Sequence, residues 1–308
     1  MRGPEPRTIT LIGAAIEDGA GRQGCSMGPK ALRIAGLADA LSELGHTLVD
    51  RGDVLPEAND FALEGMAHNV VEVTGFARSL AVAGEAALAA GTAVYLGGDH
   101  ALSFGSVAAA LRHADRLGKK LHVLWLDAHA DFNTPQTSAS GNMHGMPAAF
   151  FCGEAGFDGM LECPRMPATR YHLVGARSID PAEVDLLAAR GADVNDMAEI
   201  DEHGIGAILR RILKEVEADD ALLHVSLDVD FIEPDLAPGV GTTVPGGATV
   251  REAHLAMEMV GRCGRLISLD LVELNPFLDD RGKSARLMVD LAASAFGRRI
   301  FDRPTQPA

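Results

Sequence analysis

The sequence predicts an α/β fold in which a mostly parallel, doubly wound sheet lies between layers of helices. Short runs rich in valine, isoleucine and leucine alternate along the chain with longer segments whose apolar residues recur at helical spacing. Parallel strands joined by crossover helices produce this alternation. The length of 308 residues is enough to bury a full core, and no repeat or linker-like stretch divides it. We therefore expect a single domain that covers residues 1–308.

Short apolar runs predict the strands of this sheet. They cover residues 8–15, 46–50, 92–97, 121–127, 170–175, 222–228 and 266–272. Apolar residues at helical spacing predict the helices between them. These cover residues 60–90, 103–117, 181–190, 204–217, 249–262 and 283–297. Two long connections remain, 131–170 and 237–247, and loops of such length in a compact domain are usually functional.

Charge and hydropathy limit the partners of the protein. The formal net charge is -16, whereas nucleic acids and anionic membranes are bound mainly through lysine and arginine, so we expect neither as a partner. The most apolar segment, 79–96, contains Glu85 and two glycines, which favours a helix followed by a strand over a membrane span. The same acidity could attract a cationic substrate, although a surface kept soluble by its net charge is the simpler explanation.

The cysteines and the first residues indicate the compartment. Cys25, Cys152, Cys163 and Cys263 form no C-x-x-C pair, so neither a disulfide framework nor a zinc ribbon is predicted. The start, MRGPEPRTITLIGAAIEDG, lacks the basic flank, apolar run and cleavage site of a signal peptide. We expect a cytoplasmic protein.

Potential metal ligands follow three of the predicted strands. Within two of these groups the ligands stand at alternate positions, and alternate side chains of an extended backbone share a face. The residues are Asp99, His100, Asp127, His129, Asp131, Asp228 and Asp230. Each short motif alone is also typical of a helix N-cap, a turn or a salt-bridged surface pair. Their coincidence at the carboxyl ends of predicted strands favours a site, because ligands bind there in parallel sheets.

Several carboxylates crowded beside apolar strands require a cation, since they would otherwise repel one another and be costly to desolvate. Four or five negative charges with two imidazoles indicate two divalent metals. The absence of a thiolate disfavours structural zinc, while carboxylate and imidazole ligands suit manganese, with iron, cobalt or nickel as lesser alternatives. Two metals about 3.5 Å apart that share an oxygen would produce a hydroxide nucleophile near neutral pH.

Three motifs resemble the metal-binding motifs of the ureohydrolase family, and those of its arginases in particular. They are GGDHALSFGS, DAHADFNTPQTSASGNMHG and SLDVDFIEPDLAPGVGT, in the same order and at matching distances. The resemblance continues through GCSMGPKALRIAGL and SLDLVELNPFLD, so it covers nearly the whole chain. It implies the three-layer αβα fold of the arginase/deacetylase type, two Mn²⁺ per subunit, and hydrolysis of a guanidinium group to urea.

The resemblance also implies the metal ligands and the catalytic groups. One metal would be held by His100, Asp127, Asp131 and Asp228, and the other by Asp127, His129, Asp228 and Asp230, so that Asp127 and Asp228 bridge. A hydroxide shared by the metals would attack the guanidinium carbon, and Asp131 would pass its proton to the leaving amine. His144 matches the proton shuttle of the family, a role that suits an imidazole titrating near neutrality. Glu273 matches the carboxylate that holds the guanidinium group in a forked pair.

Substrate contacts are carried over in the same way. Asn133, Ser138 and Ser140 match the donors to the substrate carboxylate, and Asp180 matches the group that meets the α-amino nitrogen. Thr242 is a further contact. Donors placed for a carboxylate reject substrates that lack one, because the donors would be left unpaired. This favours L-arginine over agmatine.

The predicted reaction is conversion of L-arginine and water to L-ornithine and urea. The alternatives are hydrolysis of agmatine, guanidinobutyrate or another guanidino acid, a non-catalytic arginine-binding regulator, and a single-metal deacylase on a related fold. Ser178 stands where the family often has an acidic residue, and Thr243 where it usually has proline, so both positions bear on the substrate. The resemblance further implies a homo-oligomer, a trimer or a hexamer.

Overall fold

One parallel sheet of eight strands runs through the part of the chain that the structure, a computed structural model, describes, which is residues 6–299. Its strands are β1 (Thr8–Ala14), β2 (Thr47–Val54), β3 (Thr92–Gly97), β4 (Leu121–Leu126), β5 (Tyr171–Ala176), β6 (Asp193–Asp196), β7 (Leu222–Asp228) and β8 (Leu266–Val272). The order across the sheet is β2-β1-β3-β8-β7-β4-β5-β6, and each neighbouring pair is parallel. All carboxyl ends of these strands therefore lie at one edge of the sheet.

Helices connect the strands. They are α1 (Gly28–Ile34), α2 (Leu37–Ser42), α3 (Val70–Ala90), α4 (Ser103–Arg116), α5 (Pro147–Phe151), α6 (Pro181–Arg190), α7 (Met197–His203), α8 (Ile205–Ala218), α9 (Val250–Cys263) and α10 (Lys283–Ala295). No helix within residues 6–299 is long and apolar enough to cross a membrane.

The helices cover both faces of the sheet and create three layers. On β4, Leu124 and Leu126 point into one apolar core, whereas Val123 and Trp125 point into the other. Helices α1, α2 and α7 to α10 complete the first core, and α3 to α6 complete the second. Since side chains of a strand alternate between faces, a sheet buried on both sides needs apolar residues at nearly every position. The predicted three-layer α/β fold is confirmed.

Helix boundaries follow local capping chemistry. Helix α9 begins after Thr249, whose hydroxyl accepts from the Glu252 amide at 3.3 Å while the Glu252 carboxylate accepts from the Thr249 amide at 2.8 Å. This capping box satisfies amides that the first helical turn leaves free. The helix ends at Gly264, whose φ of 68° is the left-handed conformation that glycine adopts without strain.

The predicted elements differ from the structure in three places. Helix over residues 60–69 is wrong, because α3 begins only at Val70 and the preceding segment is a loop with bends. Strand β6 has no predicted counterpart, since Asp-Val-Asn-Asp is short and mostly polar. The short helices α1, α2, α5 and α7 lie outside the predicted helices, because five to seven residues show too little of the helical period. The two ends of the predicted domain, 1–5 and 300–308, lie outside the described residues.

Two imidazoles and two carboxylates join the strands at one side of the sheet. His122 Nδ1 lies 2.9 Å from His172 Nε2, and the outer nitrogens contact Asp219 at 3.1 Å and Asp193 at 2.7 Å. Burial raises the pKa of Asp193, but His172 and Arg211 outweigh burial and lower the pKa to about 2. These contacts give both histidines a structural role.

Candidate metal centre and active-site cavity

Four adjacent strands, β3, β8, β7 and β4, carry the predicted site at their carboxyl ends. His100 follows β3, Asp127 follows β4, Asp228 ends β7, and Glu273 follows β8. The strands are buried and parallel, so residues far apart in the sequence meet at one edge.

The first cluster surrounds His100. Its Nδ1 lies 3.1 Å from Asp127 Oδ2, 3.0 Å from Asp131 Oδ2 and 3.1 Å from Asp228 Oδ2. The other ring nitrogen, Nε2, lies 2.7 Å from the hydroxyl of Ser226 on β7. With Nε2–H donating to this hydroxyl, Nδ1 presents its lone pair to the cluster. The His100 ring also stacks on Trp125, with ring centroids 4.1 Å apart.

The second cluster surrounds His129. Its Nδ1 lies 2.9 Å from Asp230 Oδ2 and 3.5 Å from Asp127 Oδ1. Asp127 therefore turns one carboxylate oxygen to each cluster. Asp228 turns Oδ2 to the first cluster, while its Oδ1 accepts from the Asp230 amide at 2.7 Å. Within residues 6–299 the structure thus brings together all six predicted ligands in two adjoining groups.

The donor set fits divalent cations. Nδ1 of His100 and Oδ2 of Asp127 and Asp131 are buried and make no hydrogen bond to the residues that the structure describes. Burial raises the pKa of Asp228, and the Asp230 and Asp127 carboxylates raise it further. Burial and Asp127 likewise raise the pKa of Asp230 to about 6. Charge confined in this way is stabilised when a cation replaces the protons, so the groups present match two metal ions.

Glu273 and His144 form a buried pair beside the first cluster. Glu273 Oε1 lies 2.8 Å from His144 Nδ1 and accepts from the His100 amide at 2.8 Å. Burial lowers the pKa of His144, but Glu273 and then Asp99 and Asp131 outweigh burial and raise it to about 9. Burial raises the pKa of Glu273, but His144 outweighs it and leaves the pKa below its usual value. At neutral pH the pair is an imidazolium and a carboxylate.

A cavity of about 360 Å³ opens above the two clusters. All predicted catalytic, substrate and metal residues line it except Asp127, which lies beneath its floor. Asn133 Nδ2 donates to Asp180 Oδ2 at 3.0 Å, so these two predicted substrate contacts orient each other. The Thr242 hydroxyl lies 3.3 Å from Asp230 Oδ2 and so reaches a predicted ligand.

Ser138 and Ser140 line the same cavity. Ser138 Oγ accepts from the Gly141 amide at 3.0 Å, and Ser140 Oγ accepts from the Asn142 amide at 3.2 Å. An acceptor role for each oxygen leaves its hydroxyl hydrogen free to donate to a ligand in the cavity.

Sequence reasoning missed two lining residues with polar side chains, Glu183 and Asn142, and included one residue, Asp99, that belongs to neither cluster. Glu183 is 4 % exposed, and burial raises its pKa to about 7; its sequence signal is that of a capping box at the start of α6. Asn142 also lines the cavity, two positions before His144. Asp99, counted among the potential ligands at strand ends, instead accepts from the amides of Gly19, Ala20 and Ala101. It ties a loop to the end of β3.

The fold and the two ligand clusters define the class of the protein, a parallel α/β protein with a candidate site for two metal ions at the carboxyl edge of its sheet. A family model described as the Arginase family matches residues 7–297. The chain belongs to the arginase family. It is therefore a ureohydrolase, an enzyme that hydrolyses the guanidino C–N bond of a small molecule, and the family is one of binuclear metal enzymes.

Individual relatives agree with this assignment. The chain is 49% identical over 303 residues to an arginase of Brucella melitensis, covering 96% of this chain and 98% of the relative. It is 48% identical over 306 residues to an arginase of Agrobacterium fabrum, covering 98% and 94%. Among solved structures, arginase from Bacillus subtilis superimposes with a TM-score of 0.86 at 36% identity, covering 96% of this chain and 100% of that one.

Proposed function

We propose that the enzyme is a manganese arginase that converts L-arginine and water to L-ornithine and urea. The observation that carries this proposal is a single cavity with two parts, a floor of paired ligand clusters that share Asp127 and a wall of amide, hydroxyl and carboxylate groups. The ligand clusters of the floor suit hydrolysis, and the polar groups of the wall suit binding of the charged groups of an amino acid. A guanidino substrate without the amino-acid end would leave the wall groups unpaired.

The two ends of the substrate are held by groups of matching charge. Glu273, ionised and 2 % exposed, receives the guanidinium group. At the other end, Asn133, Ser138 and Ser140 donate to the α-carboxylate. Asp180, which already accepts from Asn133, receives the α-amino group. Binding at both ends places the guanidinium carbon over the ligand clusters, and this positioning supplies part of the rate enhancement.

Proton transfer is assigned to Asp131 and His144. Asp131 Oδ2 lies in the first cluster and has no hydrogen-bond partner among the described residues, so it is free to take a proton from the attacking water and deliver it to the departing amine. His144, with its pKa raised to about 9, holds a proton at neutral pH and can replace the one that leaves with the product.

The ligands proposed for the two metals are His100, Asp127, Asp131 and Asp228 for one, and Asp127, His129, Asp228 and Asp230 for the other, with Asp228 as a second bridge. Two divalent cations at these positions, when bound, neutralise the clustered carboxylates and lower the pKa of an adjacent water. Oxygen and imidazole donors without thiolate favour manganese among the common metals.

The assay compares L-arginine, agmatine and guanidinobutyrate, each incubated with the manganese-loaded enzyme, by the urea released. The proposal expects L-arginine to have the highest kcat/KM. Turnover of agmatine or guanidinobutyrate without turnover of L-arginine would refute the substrate while leaving the family assignment intact. Parallel loading with iron, cobalt and nickel tests the metal, because manganese should give the highest kcat.

We further propose that residues 1–308 act as one catalytic domain in the cytoplasm and assemble into a trimer or hexamer. The sheet that spans Thr8 to Val272 supports one domain. All four cysteines are unpaired, as expected in a reducing compartment. Ile34 and Phe277, which are 77% and 82% exposed, are apolar groups that an oligomer could cover. Light scattering coupled to size exclusion measures the assembly, and a monomer at micromolar concentration would contradict it.

A further inference from the structure

The segment 60–69, a loop before α3, is hydrogen-bonded to the loop 133–141 that lines the cavity. The Met66 amide donates to the Pro135 carbonyl at 2.6 Å, and the His68 amide donates to the Gly141 carbonyl at 2.8 Å. A side-chain bond adds to these, since Gln136 Nε2 donates to the Glu64 carbonyl at 3.1 Å. We call residues 60–69 the support segment and residues 133–141 the substrate loop.

One of these hydrogen bonds connects the support segment, through Gly141, to Ser138, a predicted substrate contact. The carbonyl of Gly141 accepts from His68, and the amide of the same residue donates to Ser138 Oγ at 3.0 Å. The position of Gly141 therefore orients the side chain of Ser138, a residue that lines the cavity. At the opposite end of the loop, the Asn133 amide donates to the Gly145 carbonyl at 3.1 Å, so that end is anchored independently of the support segment.

Two glycines allow the two segments to approach so closely. Gly65 has a φ of 108°, and a Cβ there would lie 2.6 Å from the Pro135 carbonyl oxygen. Gly141 has a φ of 73°, and a Cβ there would lie 2.7 Å from His68 Nε2. Any larger residue at Gly65 would strain its own backbone and push the substrate loop away. Because this clash would be with the backbone oxygen of Pro135, no flexible side chain could move to relieve it.

The support segment contributes only partly buried side chains to the second apolar core, those of Phe61, Leu63 and Ala67. Every residue from 60 to 69 is exposed or only partly buried. The segment is tied at its end to another loop, because Asn69 Nδ2 donates to the Asp18 carbonyl at 2.8 Å. Disturbing it should therefore alter the substrate loop more than the stability of the fold.

We propose that the support segment determines substrate specificity by holding the substrate loop in the conformation that receives the substrate carboxylate. This inference rests on the proposed function, since it deepens the selection of an amino acid by that site. Asn133, Ser138 and Ser140 act on substrate, and the support segment positions the loop that carries them. It touches neither the ligand clusters nor the guanidinium end, so its effect is confined to recognition of the amino-acid end.

The test uses Gly65→Ala, which introduces the clash with Pro135, and Met66→Pro, which removes the amide donor. The control is Gly36→Ala, because Gly36 has a similar φ of 89° but no atom within 4 Å of the added Cβ. For each manganese-loaded variant, kcat and KM for L-arginine, the inhibition constant of agmatine, the bound metal count and amide hydrogen exchange of residues 133–141 are measured.

We expect KM for L-arginine to rise about tenfold in both support-segment variants, since bonds to a charged carboxylate are weakened. The values of kcat should stay within about twofold, and the inhibition constant of agmatine, which has no carboxylate, should not change. Amides of 133–141 should exchange faster, and Gly36→Ala should match the wild-type enzyme in every measurement.

An equal rise of the agmatine inhibition constant, or a loss of metal, would overturn the proposal, because the effect would then extend beyond the amino-acid end. Unchanged exchange of 133–141 in both variants would overturn it whatever the substrate of the enzyme is. Failure of the wild-type enzyme to release urea from L-arginine would instead refute the proposed function. The exchange data and calorimetric binding of L-ornithine then test the support segment separately.

Discussion

Replacing Ser226 by alanine should weaken metal binding at the first cluster without changing a ligand. The Ser226 hydroxyl is 2.7 Å from His100 Nε2, and both residues are at most 1 % exposed, so water cannot take its place. With a metal on Nδ1, the imidazole must keep its proton on Nε2, and the alanine variant leaves this N–H without an acceptor. In the metal-bound variant, the buried Nε2–H of His100 without an acceptor costs about 1 to 3 kcal/mol. This corresponds to a factor of about 5 to 150 in metal affinity.

Ser268→Ala provides the matched control. Ser268 is equally buried and bonds His224 Nδ1 at 2.7 Å, but His224 belongs to neither ligand cluster. Competition with a chelator, followed by metal analysis, gives the affinity of each variant, and thermal unfolding of the metal-free proteins gives the structural cost. Equal affinity losses in the two variants, or none in Ser226→Ala, would show that the hydroxyl does not act through His100.

Three further predictions concern the ligand clusters, Glu273 and the Asp193 ion pair. Asp127→Ala should lower the bound manganese count below one per subunit, because Asp127 belongs to both clusters, whereas His129→Ala should leave about one; metal analysis that finds two in either variant contradicts the ligand scheme. Glu273→Gln should retain both metals but lower kcat/KM for L-arginine by about 10²-fold or more, measured by urea release, since the neutral amide loses the ion pair. Asp193→Asn should cost about 2 kcal/mol at pH 7, because the folded pKa of about 2 lies below the unfolded 3.8. Stability from this group is present above pH 3.8 and lost as the pH falls towards 2, so the difference between denaturation curves of variant and wild type should shrink below about pH 4.

The strands were predictable where the sheet is buried on both faces. β3, β4 and β7 are mostly apolar runs, because each packs against helices on two sides. β6 lies at the edge of the sheet, where one neighbour and partial exposure permit a polar sequence. The helical prediction over 60–69 failed for a different reason. Its apolar residues match the helical period, but the amides of Met66 and His68 donate to carbonyls of the substrate loop instead of those of a preceding helical turn.

The grouping of the proposed metal ligands was predictable from spacing, because an extended backbone places alternate residues on one face. That rule does not settle where a side chain points once the strand has ended. Asp99 stands beside His100 in the sequence, yet its carboxylate belongs to neither cluster. It accepts hydrogen bonds from three backbone amides instead. Glu183 has the local signature of a capping residue, and only the tertiary contact with the Phe132 amide at 2.8 Å brings it to the cavity wall. Roles assigned from the family motif, such as those of Ser138 and Asp180, stay predictions.

Strand order explains why Glu273, the carboxylate proposed to bind the guanidinium group, lies beside the ligand clusters. β8 lies between β3 and β7, so Glu273 leaves the sheet between the strands that supply His100 and Asp228. Its amide donates to the Gly98 carbonyl at 2.8 Å, and its carboxylate accepts from the His100 amide, so both ends of the residue are fixed to the end of β3. Glu273 and Asp131 also have positive φ values of 62° and 49°, which cost energy in residues other than glycine. The two carboxylates proposed to act on the reacting group thus both belong to residues with strained backbone, and hydrogen bonds to the end of β3 hold that of Glu273 in place.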